Sequence, residues 1–202
     1  DAAFVVFHIV HQLCQAERIV VPLRDFVNDL EGMAERITSR TKMVFLANPN
    51  NPTGTAVDEK RLGAFLASVP ARVTVVLDEA YAHYPTMSGY PDGFRFIADF
   101  PNLFVLRTFS KAYGLAGIRI GFGAGHPDAV KVVEKLREPF NVNSLALAAA
   151  LAALKDVDHI EESVRLNASG LDFLCGRLDE MGIPYVPSQA NFLLVEVGDG
   201  VE

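Results

Sequence analysis

The feature that most constrains this chain is a rhythm of apolar runs. "ERIVVPL" (17–23), "KMVFLA" (42–47), "RVTVVLDE" (72–79) and "NLFVLRT" (102–108) are continuous rather than alternating. That is the pattern of strands buried on both faces. Between the first pair, "DLEGMAERI" (29–37) places Leu30, Met33, Ala34 and Ile37 at helical spacing. Between the second pair, "VDEKRLGAFLAS" (57–68) does the same with Val57, Leu62, Phe65 and Leu66. Strands alternating with amphipathic helices predict an α/β fold with a mainly parallel sheet sandwiched by helices.

Beyond Arg119 the texture changes. "RIGFGAG" (119–125) reads as a further strand and "HPDAVKVVEKLRE" (126–138) as a helix with Pro127 in its first turn. "SLALAAALAALKD" (144–156) is almost wholly apolar and predicts a buried helix. "DHIEESVRLNASGLDFLCGRLDEMG" (158–182) steps its apolar residues by three and four and ends on Gly182, a common C-cap. "NFLLVEV" (191–197) predicts a strand. The implied domains are a large α/β unit over 1–143, and connecting helices with the start of a small α+β domain over 144–202. The opening on Asp1 and the stop shortly after "VEVGDG" read as a piece of a longer protein.

Composition removes several classes of function. With 202 residues, half of them apolar, the chain can bury a sizeable core. A net charge of -7 and a pI near 5.2, with no cluster of Lys and Arg, offer no footprint for a phosphate backbone, so nucleic acid is not an expected partner. No apolar run approaches the roughly 18 to 20 residues that span a bilayer, so no membrane partner is expected either. Cys14 and Cys175 lie far apart without a CxxC pattern, which fits reduced thiols and a cytoplasmic location. His8 and His11 share a helical face but have no third ligand, so no metal site is expected.

In open α/β sheets, ligands bind beyond the carboxyl ends of the strands. Here the second, third and fourth runs lead into "NPNNPTG" (48–54), "DEAYAHY" (78–84) and "TFSKAYG" (108–114). The first turn packs prolines and a glycine around Asn50 and Asn51, a stiff frame that can aim one amide. Asp78 ends an apolar run as a carboxylate at the rim of the core, suited to a ligand or to a helix N-cap. Tyr81 follows, able to pack its ring and present its hydroxyl. A lysine in a polar turn is ordinarily a solvated charge, but Lys111 has unusual company. Thr108 and Ser110 bring hydroxyls, Arg119 a guanidinium fork, and Gly114 and Gly117 room for close approach. These are the components of a phosphate cup beside an amine. With an aspartate from the neighbouring strand, they suit a cofactor bearing a phosphate, an aldehyde and a basic ring nitrogen, and pyridoxal 5'-phosphate has all three.

"NPNNPTGT", "VVLDEAY" and "RTFSKAYGLAGIRIGF", in this order, resemble the fold-type I, pyridoxal-phosphate-dependent aminotransferases. "REPFNVNSLALAAALAAL" with "SQANFLLVEV" is similar to their histidinol-phosphate branch. The resemblance runs along essentially the whole chain and implies the aspartate aminotransferase-like fold. It also implies roles for particular residues. Lys111 would bind the cofactor aldehyde and carry protons, Asp78 would keep the pyridine nitrogen protonated, and Asn51 and Tyr81 would hydrogen-bond the ring oxygen. Thr108, Ser110 and Arg119 would hold the phosphate. Phe4 would stack on the ring, although it reads equally as a core residue of "AFVVF", and Asn191 would touch substrate or serve only turn packing. The implied activity is transamination between L-histidinol phosphate, or an aromatic amino acid, and 2-oxoglutarate, in histidine biosynthesis, by a homodimer. Aromatic aminotransferases, pyridoxal-phosphate decarboxylases and non-catalytic sensor domains share the scaffold, and the resemblance leaves them open. In this family a distal arginine that binds the substrate carboxylate or phosphate lies past "NFLLVEV", beyond these residues.

Overall fold

The computed structural model describes residues 2–198. Along the chain run α1 (Val5–Leu13), α2 (Leu30–Glu35), β1 (Met43–Ala47), α3 (Glu59–Ser68), β2 (Thr74–Asp78), β3 (Leu103–Thr108) and β4 (Gly121–Gly125). They are followed by α4 (Pro127–Glu134), α5 (Ser144–Ala153), α6 (Val157–Met181), β5 (Tyr185–Val186) and β6 (Leu194–Val195). The main sheet has the order β1-β2-β3-β4, with the first three strands parallel and β4 antiparallel to β3. A second sheet pairs β5 with β6 antiparallel.

The parallel strands form because their side chains find apolar cover. Leu46, Val75, Leu77, Leu103 and Val105 are almost fully excluded from water. They form one cluster with Leu62, Phe65 and Leu66 of α3 and Leu30 of α2. Each such side chain is worth roughly 1.5–3 kcal/mol of burial, so this cluster anchors the sheet. Both covering helices start on an aspartate cap: Asp29 accepts from the Gly32 N–H at 3.1 Å and Asp58 from the Arg61 N–H at 2.8 Å. At the other end of α6, Gly182 takes the left-handed conformation at φ 66°, and the Ile183 N–H bonds back to Leu178 at 3.0 Å.

Three expectations need correction. Segment 17–23 forms no strand; beside it stands an isolated antiparallel bridge between Arg24 and Val27. Strand propensity becomes a strand only through pairing, and this segment joins neither sheet, leaving Ile19 and Val20 exposed. Helix α5 is not buried: Ala146 and Ala150, four residues apart on one face, turn inward, while Leu145, Leu147 and Leu151 face outward. Within 191–197 only Leu194–Val195 pairs, because its partner strand is itself two residues long.

A smaller apolar cluster joins the tail to the sheet edge. Tyr81, Tyr84, Ala112 and Ala190 are buried together, with Ile160 and Val164 of α6 and Phe192 packed on them. Gln189 ties the same tail to two other turns: its side-chain oxygen accepts from the Thr86 and Met87 N–H groups at 2.9 Å, and its own N–H donates to Gly54 at 2.7 Å. Among the described residues, no helix is long and apolar enough to cross a membrane.

Candidate functional site

Parallel register sets the site. Ala47 pairs with Asp78, and Asp78 with Leu106, so three strands end side by side. The ladder extends one residue further, with the Asn48 N–H donating to Asp78 O and the Glu79 N–H to Leu106 O, each at 2.9 Å. The turns after these strands therefore leave the sheet together, as the carboxyl-end rule anticipates.

The turn after β1 separates its three asparagines by role. Asn48 is buried and spends its side chain on both backbone groups of Val57, donating at 3.1 Å and accepting at 2.8 Å. Asn50, also buried, donates to the Thr53 hydroxyl at 2.9 Å and to Ala2 O at 3.1 Å. Those two hold the turn, leaving Asn51 to reach outward, where its amide donates to the Tyr81 hydroxyl at 3.2 Å. Gly54 closes the turn at φ +73°, with its N–H on Asn50 O at 2.8 Å.

After β2 the chain turns without forming a helix. Asp78 accepts from the Ala80 N–H at 3.0 Å, so it shapes the turn rather than capping a helix. Burial pushes its carboxyl above the ordinary carboxylate range, opposed by the Ala80 N–H and by the charge of Lys111. Tyr81 packs its ring against the edge of Phe192 at 5.1 Å between centroids. The Lys111 ammonium lies 5.0 Å from the centroid of the same ring, within cation–π range. The structure thus gathers Asn51, Asp78, Tyr81 and Lys111 from three strand ends.

The loop after β3 is wound tightly around buried Phe109 and Ala112. The Leu115 N–H bonds to Phe109 O and the Gly114 N–H to Lys111 O, both at 2.9 Å. The Thr108 hydroxyl accepts from the Ser110 N–H at 3.1 Å. Because Phe109 N–H donates to Ile120 O at 3.2 Å, Arg119 is carried back beside the 108–110 segment. Arg119 itself adopts φ +60° and donates to Ala116 O at 2.6 Å, which leaves its exposed guanidinium other donors for an anion.

Two sequence candidates sit further out. Phe4 precedes α1, and its ring meets Phe7 edge-on at 6.1 Å, while Phe7 stacks on Phe45 of β1 at 4.9 Å. Asn191 is exposed, held between buried Ala190 and Phe192, the ring that packs on Tyr81. Sequence reasoning passed over Glu79 and Arg107. Glu79 is fully buried next to Asp78 and accepts from Arg107 at 2.7 and 2.9 Å. Their signal was a charge inside each apolar run, but nothing in the run shows that the two charges meet.

With that geometry in place, the comparisons with known proteins are decisive about family. The profile of aminotransferases of class I and II matches residues 2–202, and the chain belongs to that family. Within it, the relatives carry a narrower name. A histidinol-phosphate aminotransferase of Pseudomonas fluorescens is 51% identical over 198 residues, which covers 98% of this chain and 54% of that protein. One from Idiomarina loihiensis is 46% identical, covering 99% of this chain and 54% of the relative. Among solved structures, histidinol-phosphate aminotransferase from Sinorhizobium meliloti, in complex with pyridoxal-5'-phosphate, superposes with a TM-score of 0.93 at 33% identity over 98% of this chain and 54% of its own. The chain thus spans about half the length of the curated relatives it matches.

Proposed function

We propose that this chain is the cofactor-binding part of a pyridoxal-phosphate-dependent aminotransferase that moves an amino group between L-histidinol phosphate and 2-oxoglutarate. The observation that carries it is the meeting of Lys111, Asp78 and the Asn51–Tyr81 pair at three adjacent strand ends. The donor set fits the cofactor: an amine for its aldehyde, a carboxylate for its ring nitrogen, donors for its ring oxygen and hydroxyls with a guanidinium for its phosphate. When bound, pyridoxal phosphate supplies a carbonyl that takes up the substrate amine and a ring that spreads negative charge.

The chain's own residues do the rest. Lys111 would be the base that takes the proton from the substrate Cα and delivers it to the carbonyl carbon of the cofactor. Asp78, whose carboxyl burial raises against the opposing pull of the Ala80 N–H and Lys111, would as a carboxylate favour the protonated ring nitrogen, which is what makes the ring an electron sink. Asn51 and Tyr81 donate to the ring oxygen and hold the ring's rotation. Thr108, Ser110 and Arg119 would hold the phosphate, and Phe4 would flank the ring. Asn191 would approach substrate from the tail, where Ile160 and Val164 of α6 and Phe192 pack on Tyr81, Tyr84 and Ala112. The relatives' names support histidinol phosphate as one substrate, and the reading extends to 2-oxoglutarate as the other and to a cytoplasmic homodimer in histidine biosynthesis.

The test uses the full-length protein. Loaded with pyridoxal phosphate, it should show the visible absorbance of lysine-bound cofactor and convert histidinol phosphate with 2-oxoglutarate by ping-pong kinetics. Lys111→Ala should lose both. Release of carbon dioxide instead of an oxo product would replace the aminotransferase with a decarboxylase, faster turnover of phenylalanine would replace the substrate, and cofactor binding without turnover of any amine would make it a sensor.

A further inference from the structure

Glu79 and Arg107 stand apart from the residues assigned above, yet each is the chain neighbour of one of them. Glu79 follows Asp78, and Arg107 precedes Thr108. Asp78 pairs with Leu106 across the β2–β3 ladder, so Glu79 and Arg107 are the next residues out on two adjoining strands. Their side chains close on each other: the Arg107 Nε and Nη2 donate to one oxygen of Glu79 at 2.9 and 2.7 Å, and the Gly93 N–H donates to the other at 2.8 Å. The Glu79 side chain is wholly excluded from water and that of Arg107 is 17% exposed.

The segment after the Tyr81 turn closes this pair from outside. Asp92 accepts a further bond from the Arg107 Nη2 at 2.7 Å, and the Phe94 ring lies under the guanidinium at 3.9 Å. Two residues upstream, the Tyr90 hydroxyl donates to Asn48 O at 2.6 Å. Residues 90–94 therefore bind the ends of β1, β2 and β3 in turn, at Asn48, Glu79 and Arg107. There is no slack in this arrangement. A Cβ on Gly93 would lie 2.5 Å from the Glu79 carboxylate and 2.8 Å from Leu77.

A buried ion pair is poor evidence for stability alone, because desolvation offsets much of its attraction and a well-packed apolar pair often does as well. What it supplies that an apolar pair does not is direction, since a guanidinium fork meets a carboxylate in few orientations. Every hydrogen-bond partner of the Glu79 carboxylate is an N–H donor, and Arg107 and the Gly93 N–H oppose the burial that raises its carboxyl above the ordinary range.

We propose that Glu79 and Arg107 are positioning residues, whose strapped ion pair sets the distance from Asp78 to the Thr108–Ser110 phosphate-binding segment. That distance must match the span from ring nitrogen to phosphate of the cofactor. The inference rests on the function proposed above. It makes the pair act through Asp78 and Thr108 without touching the cofactor itself.

The experiment compares full-length wild type with Glu79→Gln, Arg107→Lys and Arg107→Met. Measured are pyridoxal phosphate affinity of the cofactor-free protein, the pH midpoint of the bound cofactor's visible absorbance, kcat and KM, and Tm without cofactor. Glu79→Gln keeps the shape and one acceptor but sets an NH2 against an N–H donor, so its Tm should fall, and Arg107→Lys, which keeps the charge, is the milder variant. We expect Glu79→Gln to weaken cofactor affinity and lower kcat by about 10- to 100-fold, the usual scale for a displacement near 1 Å, with KM little changed. The absorbance midpoint should move as well, and Arg107→Lys, which keeps the charge without the fork, should fall between wild type and Arg107→Met. If the variants lose Tm but, once loaded, keep the wild-type midpoint and kcat, the pair is structural only and the proposal fails. If wild type itself takes up no pyridoxal phosphate, the functional reading fails first and takes this proposal with it.

Discussion

The amide of Asn51 donates to the hydroxyl of Tyr81 at 3.2 Å, joining the turn after β1 to the turn after β2. A bond between two side chains 30 residues apart fixes two donors at one place, where a ring oxygen can receive both. Asn51→Ala and Tyr81→Phe should each weaken pyridoxal phosphate binding by about 1 kcal/mol, and the double variant should lose less than the sum. Titrating all four proteins gives the coupling directly. Strict additivity would mean the two residues act separately.

Asp78 predicts opposite effects on stability and on function. Its carboxyl is held above the ordinary range by burial, so the cofactor-free folded chain keeps this proton to higher pH than the unfolded chain does. The stability linked to this group is therefore fullest at low pH. It falls as pH rises from the ordinary carboxylate value through the raised one, and it stays reduced above that window. Asp78→Asn keeps the acceptor for Ala80 and removes the cost. Near neutral pH, cofactor-free Asp78→Asn should melt roughly 2–4 °C higher for each kcal/mol recovered, while turnover drops by orders of magnitude. A variant that melts lower across the whole pH range would show that the ionised carboxylate stabilises the fold.

Gly54 should resist substitution for two independent reasons. Its φ of +73° disfavours any side chain, and a Cβ there would stand 2.2 Å from the Ser188 hydroxyl. Gly54→Ala should cost more than about 1 kcal/mol by chemical denaturation. Adding Ser188→Gly should return only the steric share, because the backbone conformation is unchanged. Full recovery would show that φ contributes nothing.

Leu62 is fully buried where α3 meets the sheet. Leu62→Ala should destabilise by about 2–5 kcal/mol in urea unfolding. A loss below 1 kcal/mol would mean that the helix and sheet repack to fill the cavity.

Much of the candidate site is legible in the sequence, because its residues cluster there. Asp78 and Tyr81 lie within one turn, Thr108, Ser110 and Lys111 within another, and each turn follows an apolar run long enough to announce a strand. Asn51 was harder to separate from Asn48 and Asn50 by residue type. Only the hydrogen bonds divide them, two spent on the turn and one aimed at Tyr81. Glu79 and Arg107 could not be paired from the sequence at all, since 28 residues separate them and neither run records which strand lies beside it. The same limit explains segment 17–23 and α5. An apolar run states what a segment would bury, but a strand also needs a neighbour to bond and a helix needs a surface to meet.

The sequence by itself determined the alternation of strand and helix, the position of the ligand edge and the types of group delivered there, because periodicity, turn chemistry and the order of elements are local properties of the chain. The tertiary structure decided which runs became strands, which asparagine faces the site and how Glu79 meets Arg107. Those outcomes depend on register and packing between distant segments, which exist only once β1, β2 and β3 lie side by side.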